Sequence, residues 1–549
     1  KTSYPPCETT GRDGTYALEG AQPEASDPVG PGITRSHDQG TLSRHQTQKG
    51  RVPRGTALGI SKESTERNTQ LSIAVQQDMK RSIAAILALA HCVTAAAQNP
   101  NLPDFGSPSD SVLSKSQEAQ IGRGVVAQLR NAGAILEDPL VTEYIQTLGA
   151  QLAAHANDGD QSFQFFMVDD DAINAFALPG GFIGVNAGLI LASETESEVA
   201  GVLAHEVAHV TQRHITRSIY DRQRTGVLSM AAMIAAALLG VATDTGGEAM
   251  GGLLMGTQAA AMQRQINFTR TNEHEADRVG IGTLSSAGFD PLGMASFFEK
   301  LSRRYGSRGP AMLQTHPVTT DRIAEARARA RLLPTVETDN SLSYQVIRAR
   351  LEVLGAPPND TAYMTFRERL ANGSTDVGDF YGSALALSRM GLDDDAERQF
   401  AELIRAYPGV IAFRIGEADS MLRNQRTEAA LQRYAEAIEL SPRNVPLTTS
   451  YADALIQSGR PSEAHDLLLD LLNNTLPTPE QFRMIARAAN AEGDIGNAHH
   501  YMSHYYSMVG NPSDALSQIR LALESPGVNT VDRARFNSEL AAFNASLPE

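Results

Sequence analysis

The amino-acid sequence predicts a mainly α-helical chain, in which an α+β domain with a small sheet precedes an α-helical solenoid. Two columns of alanine that recur every 34 residues predict the solenoid, because each column marks one of two antiparallel helices. A long amphipathic segment over residues 193–214 predicts a helix of the preceding domain. Aromatic and β-branched residues over 163–190 predict its short strands.

Length and composition limit the classes of protein. With 549 residues the chain exceeds the ~250–300 at which a single core stops growing, so several domains are expected. A net charge of −16 argues against a nucleic-acid partner, since binding to phosphates needs clustered Lys and Arg. Two cysteines exclude a disulfide scaffold and a four-Cys zinc site. Any bound metal therefore needs His and carboxylate ligands.

The N-terminal stretch has the composition of a chain that cannot bury a core. Residues 1–78 are rich in Gly, Pro, Ser, Thr and Gln and show no sustained apolar period. We therefore expect residues 1–78 to be disordered and to be a non-native extension upstream of a start at Met79.

A signal peptide is predicted over residues 79–97. Its basic start at 79–81 is followed by an apolar run over 83–89 and by three alanines before Gln98. Export to the periplasm is the expectation, and a short buried helix is the alternative.

Four further segments follow the signal peptide. Residues 98–112 form a linker rich in Pro, Ser and Asp, and residues 113–335 alternate between helical and strand-like periods. Residues 336–374 form a helical bridge of two stretches split by Pro357-Pro358. Residues 375–549 contain the repeats.

The repeat period is that of a tetratricopeptide array. The two columns lie twelve residues apart, which puts a small residue on each helix where the backbones come close. The first column is Ala384, Ala418, Ala452 and Ala486, and the second is Ala396, Ala430, Ala464 and Ala498. Such an array offers a concave surface to a protein partner.

The segment 193–214 contains the residues that indicate chemistry. Ser193 and Glu196 predict a capping box at the start of its helix. His205 and His209 are i and i+4, so both imidazoles can bind one metal ion, and Glu206 can reach a metal-bound water. The carboxylate would take the proton as the water attacks a carbonyl. Two solvated or structurally paired histidines are the alternative.

A third ligand is predicted in residues 272–280. Glu273 and Asp277 share a helical face, which suits one carboxylate on the ion and another behind it. A solvated acidic face of Glu273, Glu275 and Asp277 is the alternative.

Four segments together resemble the HtpX and BepA type of zinc peptidases, above all periplasmic proteases of the BepA type with a C-terminal tetratricopeptide array. They are HEVAHVTQRH at 205–214, NEHEAD at 272–277, NAFALPGGFIGVNAGLI at 174–190 and THPVTTDRIA at 315–324. The similarity extends over residues 98–549.

The resemblance implies a gluzincin-type metalloprotease domain over 113–335 that binds one Zn²⁺ per chain. His205, His209 and Glu273 would be the ligands and Glu206 the general base. Asp277 would orient a ligand histidine rather than donate a proton, because a carboxylate ionised at neutral pH is a poor acid.

The segment before the metal helix is predicted to bind substrate. An extended stretch near the ion could pair with a substrate backbone as an added strand. An ordinary core hairpin is the alternative. The predicted residues are Asn174, Phe176, Pro179, Gly180 and Gly181.

His316 is predicted to be a fourth zinc ligand or a regulatory residue. It could bind the ion and inactivate the enzyme, or donate to the developing oxyanion. An exposed loop histidine without either role is the alternative.

Residues 227–242 form an apolar run without a charge. It is shorter than the ~20 residues that span a bilayer, so no transmembrane segment is expected. A small-residue helical hairpin over 227–256 that packs on the catalytic domain is the preferred interpretation, and peripheral membrane contact is the other.

The predicted function is that of an exported zinc-dependent endopeptidase of envelope protein quality control. The resemblance implies misassembled outer-membrane β-barrel proteins as substrates, with the array binding them or their assembly machinery. The alternative is a periplasmic chaperone or scaffold that works through its array and has a latent zinc site.

Overall fold

The computed structural model describes residues 114–156, 161–220, 270–305, 312, 315–336, 339–357 and 359–546. The predicted extension 1–78, signal peptide 79–97, linker 98–112 and apolar segment 227–256 lie outside the described residues. The described part is helical with one small sheet and ends in helical repeats, which confirms the predicted fold class.

The sheet has three short strands. They are β1 (Gln164–Val168), β2 (Ala175–Leu178) and β3 (Phe182–Asn186), in the order β1-β3-β2. β1 is parallel to the central strand and β2 antiparallel to it, with Ala177 opposite Ile183. Among the described strands, β2 therefore lies at an edge.

Eight helices accompany the sheet within the described residues. They are α1 (Lys115–Asn131), α2 (Pro139–Ala153), α3 (Ala187–Ala192), α4 (Glu196–Thr211), α5 (His214–Tyr220), α6 (Arg270–Ser286), α7 (Leu292–Tyr305) and α8 (Thr320–Ala330). Every residue of α4 from Ser197 to His209 is buried, so it is the central helix of this part of the fold.

The start of α4 differs from the predicted capping box. Thr195 is the N-cap and accepts a 3.2 Å hydrogen bond from the backbone N–H of Glu198. Ser193 instead follows the end of α3, and its hydroxyl donates to the carbonyl of Leu189. The capping box at Ser193 is wrong because α3 ends only at Ala192 and occupies the residues before it.

Close approach of α7 to α4 depends on glycine. A Cβ on Gly201 would lie 2.7 Å from the backbone nitrogen of Met294, and one on Gly293 would lie 2.3 Å from the carbonyl oxygen of Ser197. Neither contact is tolerated by a close-packed interior. The glycines let α7 support the buried helix along its length.

Helices α9 to α20 complete the chain. They are α9 (Leu342–Gly355), α10 (Thr361–Ala371), α11 (Val377–Arg389), α12 (Asp393–Ala406), α13 (Ile411–Arg423), α14 (Thr427–Leu440), α15 (Val445–Gln457), α16 (Pro461–Asn474), α17 (Pro479–Glu492), α18 (Ile495–Met508), α19 (Pro512–Glu524) and α20 (Thr530–Ser546). The two alanine columns fall on alternate helices from α11 to α18, and all eight alanines are buried. This placement confirms the helical repeats.

One apolar core runs from the part that contains the sheet into the array. Its buried residues extend from Leu140 of α2 to Tyr501 of α18. Polar contacts join the same elements: Arg350 donates to both carboxylate oxygens of Asp138, at 2.8 and 2.6 Å, and Asn444 donates to Glu143 at 2.9 Å. The array therefore packs directly on α2.

Candidate metal centre

The histidines of α4 and the glutamate of α6 meet in the buried interior. Nε2 of His205 lies 3.0 Å from Nε2 of His209. The Glu273 carboxylate lies 3.5 Å from Nε2 of His205 and 3.4 Å from Nε2 of His209. Packing of α4 against α6 thus joins ligands that are far apart in sequence.

His316 completes this group from the segment before α8. Its Nδ1 lies 3.3 Å from Nε2 of His205 and 3.1 Å from Oε1 of Glu273, and the residue is only 2% exposed. Ligand atoms at about 2.0–2.1 Å from a tetrahedral ion lie about 3.3 Å from one another. The four donor atoms all lie within 4.8 Å of each other, so the residues fit a metal ion.

Glu206 lies beside the ligands and is fully buried. Within the described residues, neither of its carboxylate oxygens makes a hydrogen bond of normal geometry, and Oε1 is 3.6 Å from Nε2 of His316. Burial raises the pKa of Glu206, although His316, His205 and the backbone of Ala177 lower it. A buried carboxylate with so few polar contacts requires an explanation, and a reacting group supplies one.

Asp277 contacts the other side of His205. Its Oδ1 lies 3.0 Å from Nδ1 of His205. Arg322 donates two hydrogen bonds of 2.8 Å to the same carboxylate. Burial raises the pKa of Asp277, but Arg322 and His205 lower it further, so the group is ionised at neutral pH. Burial lowers the pKa of His205, yet Asp277 and Glu273 raise it to about 9.

Arg322 is a site residue that the sequence reasoning missed. Its Nη1 lies 2.7 Å from Oε2 of Glu273 and also donates to the carbonyl of Pro317. The guanidinium lies over the ring of Phe298, 5.3 Å from its centroid. A signal was present, because Arg322 falls on the same helical stripe as Ala326 and Ala330, which face the core.

His214 and Glu275 were also missed. Nδ1 of His214 lies 3.0 Å from Nδ1 of His209, and Nε2 of His214 lies 3.1 Å from the Glu275 carboxylate. Arg213 turns the chain between α4 and α5 with a φ of 51°, which brings His214 back to the metal helix. The signal was the third histidine of HEVAHVTQRH near the second glutamate of NEHEAD.

The residues predicted to bind substrate lie along β2 and its turn. The carbonyl of Asn174 accepts from the N–H of Asn186 at 3.0 Å, and Phe176 packs edge-on against Phe166. Gly180 and Gly181 have φ of 81° and 85°, which favours glycine. A Cβ on Gly181 would also meet the carbonyl of Ser162, and Pro179 is buried. The turn geometry accounts for the glycines, and a substrate role stays a prediction.

None of the helices in the described ranges has the length and apolar character of a membrane span.

Comparisons with known proteins agree with this geometry. Residues 139–330 match peptidase family M48, and residues 421–488 match the tetratricopeptide repeat. The beta-barrel assembly-enhancing protease of Escherichia coli K12 is 33% identical over 443 residues, which are 80% of this chain and 90% of that protein. The protein of the same name in Yersinia pestis is 33% identical over 445 residues, with the same coverage of 80% and 90%.

A more distant relative is similar over a shorter stretch. The mitochondrial metalloendopeptidase OMA1 of Arabidopsis thaliana is 29% identical over 215 residues, which are 39% of this chain and 41% of that protein. The chain belongs to the family of beta-barrel assembly-enhancing proteases and is a metalloendopeptidase of peptidase family M48.

Proposed function

We propose that this metal centre is a zinc site, with one catalytic ion per chain on His205, His209 and Glu273. Two imidazoles and a carboxylate are ligands typical of catalytic zinc, and their spacing fits one ion. Zinc would supply a Lewis acid that lowers the pKa of a bound water and polarises the scissile carbonyl. The choice of zinc rests on the chemistry of these three ligands.

Glu206 is the proposed general base, and its buried carboxylate without normal hydrogen bonds is the observation that carries the proposal. A carboxylate oxygen of Glu206 takes the proton from the attacking water and returns it to the leaving amine.

The surrounding charges hold the ligands in the required tautomers. With Nε2 of His205 and His209 directed at the ion, both Nδ1 atoms carry hydrogen. His205 then donates to Asp277, and His209 donates to Nδ1 of His214. His214 donates in turn to Glu275. Asp277 is therefore an orienting residue, as the sequence predicts, and such partners raise the basicity of a ligand.

Substrate is proposed to bind in an extended form along β2. This strand lies at an edge of the described sheet, and its Ala177 main chain lies beside Glu206. Backbone pairing at such an edge is independent of side-chain identity. Asn174, Phe176 and the Pro179–Gly181 turn would shape the start and end of this subsite.

The proposed substrates are outer-membrane β-barrel proteins that have failed to assemble, acted on in the periplasm after export by the signal peptide at 79–97. Support comes from the names of the two bacterial relatives and from the match between unpaired strands and a strand edge. The array over 375–549 would bind the substrate or its assembly machinery, and 113–335 would form the protease domain.

Metal analysis tests the choice of ion. Mature chain from Gln98 onward, purified without added metal, is expected to contain zinc, and the His205→Ala variant is expected to have lost one equivalent per chain. Inductively coupled plasma mass spectrometry measures both. An unchanged zinc content in His205→Ala would contradict the proposed site.

His316 is proposed to occupy the fourth position at rest and to hold the enzyme in a latent state. Its contacts with Glu273 and Glu206 support this proposal, because a substrate carbonyl would need the same position beside the ligands and the general base. This observation also favours the second candidate function, a chaperone or scaffold whose zinc site stays closed.

The His316→Ala variant should degrade casein faster than the wild type, because a vacated fourth position admits substrate. Zinc content measured on the same samples should be unchanged, since three ligands remain. His274→Ala is the matched control, because His274 is partly exposed and pairs with Glu325 instead. A rate equal to that of the wild type, with zinc retained, would refute the gating role.

A further inference from the structure

A second group of metal-ligand side chains lies at the C-terminal end of the array. His500 and His504 stand at i and i+4 on α18, and Glu539 comes from α20. The two Nε2 atoms are 3.3 Å apart. Oε2 of Glu539 lies 2.8 Å from Nε2 of His500 and 3.2 Å from Nε2 of His504. These separations match the edges of a tetrahedral coordination shell.

Aromatic packing directs both imidazoles at the carboxylate. The ring of His500 stacks on Phe536 with centroids 4.9 Å apart, and the ring of His504 stacks on Phe482 at 5.0 Å. His500 is 5% exposed, whereas His504 and Glu539 are partly exposed. The ligands are thus held in place on the inner side and accessible to an ion from the outer side.

Without an ion, only one of the two rings can donate to Glu539 from Nε2, because two N–H groups 3.3 Å apart would otherwise face each other. The Nε2 of the other ring is then an acceptor. A cation at the centre would instead receive a lone pair from each of the three atoms.

We propose that His500, His504 and Glu539 bind a divalent transition-metal ion, with zinc preferred, in a site separate from the catalytic centre. Imidazole and carboxylate ligands suit zinc, and water would take the fourth position.

The ion would cross-link the last helix to the array. The buried core beneath α20 is small among the described residues: its fully buried members are Phe536, Ile519 and Ala522, and partly buried Leu523, Val528, Leu540 and Phe543 surround them. A bond from α18 to α20 through the metal adds an attachment that this core lacks. Binding to the folded form alone stabilises it in proportion to free metal.

Zinc stoichiometry of the full mature chain tests the proposal. Wild type should bind two equivalents and His504→Ala one. Glu539→Gln, which keeps the shape of the side chain, should also bind one. His499→Ala is the matched control, because His499 lies on the same helix but contacts Gln518, and it should bind two. One equivalent in the wild type with no loss in His504→Ala overturns the second site, as does an equal loss in His499→Ala.

The proposals for the two metal sites can be tested independently of each other. If the catalytic proposal fails and this one holds, His205→Ala keeps its zinc while His504→Ala loses one equivalent. Amide hydrogen exchange gives an independent measure: zinc at 100 times its Kd should slow exchange in α20 about 100-fold in wild type and leave His504→Ala unchanged. Equal exchange with and without zinc in the wild type rejects the cross-link.

Discussion

Replacement of Glu206 by glutamine is expected to reduce proteolysis by about 10²–10⁴-fold, which is the usual contribution of a general base. Glutamine has the same shape but cannot take the proton from the attacking water. The ligands His205, His209 and Glu273 are unchanged, so zinc content should stay at the wild-type value. Casein degradation, zinc analysis and the melting temperature of each purified variant are the measurements.

Glu194→Gln provides the control for this experiment. Glu194 also lies near the start of α4, but it is exposed and contacts only Lys300 among its described ion-pair partners. Its loss should leave the rate unchanged. A Glu206→Gln variant that degrades casein at the wild-type rate would refute the role of Glu206 as the general base. Full function of that variant in cells would instead favour the scaffold.

Replacement of Arg322 by methionine is expected to lower the free energy of unfolding by about 3–5 kcal/mol, the usual cost of breaking a buried ion pair. Methionine keeps the apolar stem but leaves Glu273 and Asp277 buried without their cation. Asp277 would then orient His205 less firmly, and zinc affinity should fall about 10–100-fold. Urea denaturation and competition with a zinc chelator measure the two effects.

Arg327→Met is the matched control on the same helix. Arg327 pairs with Glu299, and both side chains are partly exposed, so its loss should cost at most about 1 kcal/mol. Equal destabilisation of the two variants would show that the buried ion pairs of Arg322 contribute no more to stability than the partly exposed pair of Arg327.

Local spacing made the core of the site predictable. His205 and His209 are one helical turn apart, so their shared face follows from the sequence, and the same argument joins Glu273 to Asp277. The approach of the two helices required tertiary packing, which the sequence alone suggested only by resemblance. Burial of His316 beside Glu273 was one of two open alternatives, because loop positions have no period that indicates their depth.

The missed residues share one physical cause. Arg322, His214 and His504 find their partners only after distant helices pack, and a charged or imidazole side chain is ordinarily read as exposed. The repeats, by contrast, were predictable from the sequence. Each repeat packs on its neighbours in sequence, so the residues at these contacts recur with a fixed period. The capping box predicted at Ser193 is wrong because one helix ends at Ala192 and the next begins at Glu196, which leaves Ser193 between them.

The continuous apolar interior from α2 to α18 has a mechanical consequence. A partner that bends the solenoid must also load α2, since Asn444 of the array donates to Glu143 of this helix and Arg350 of the bridge donates to its N-cap Asp138. The repeats and the part of the chain that contains the metal centre therefore respond to a bending force as one connected body.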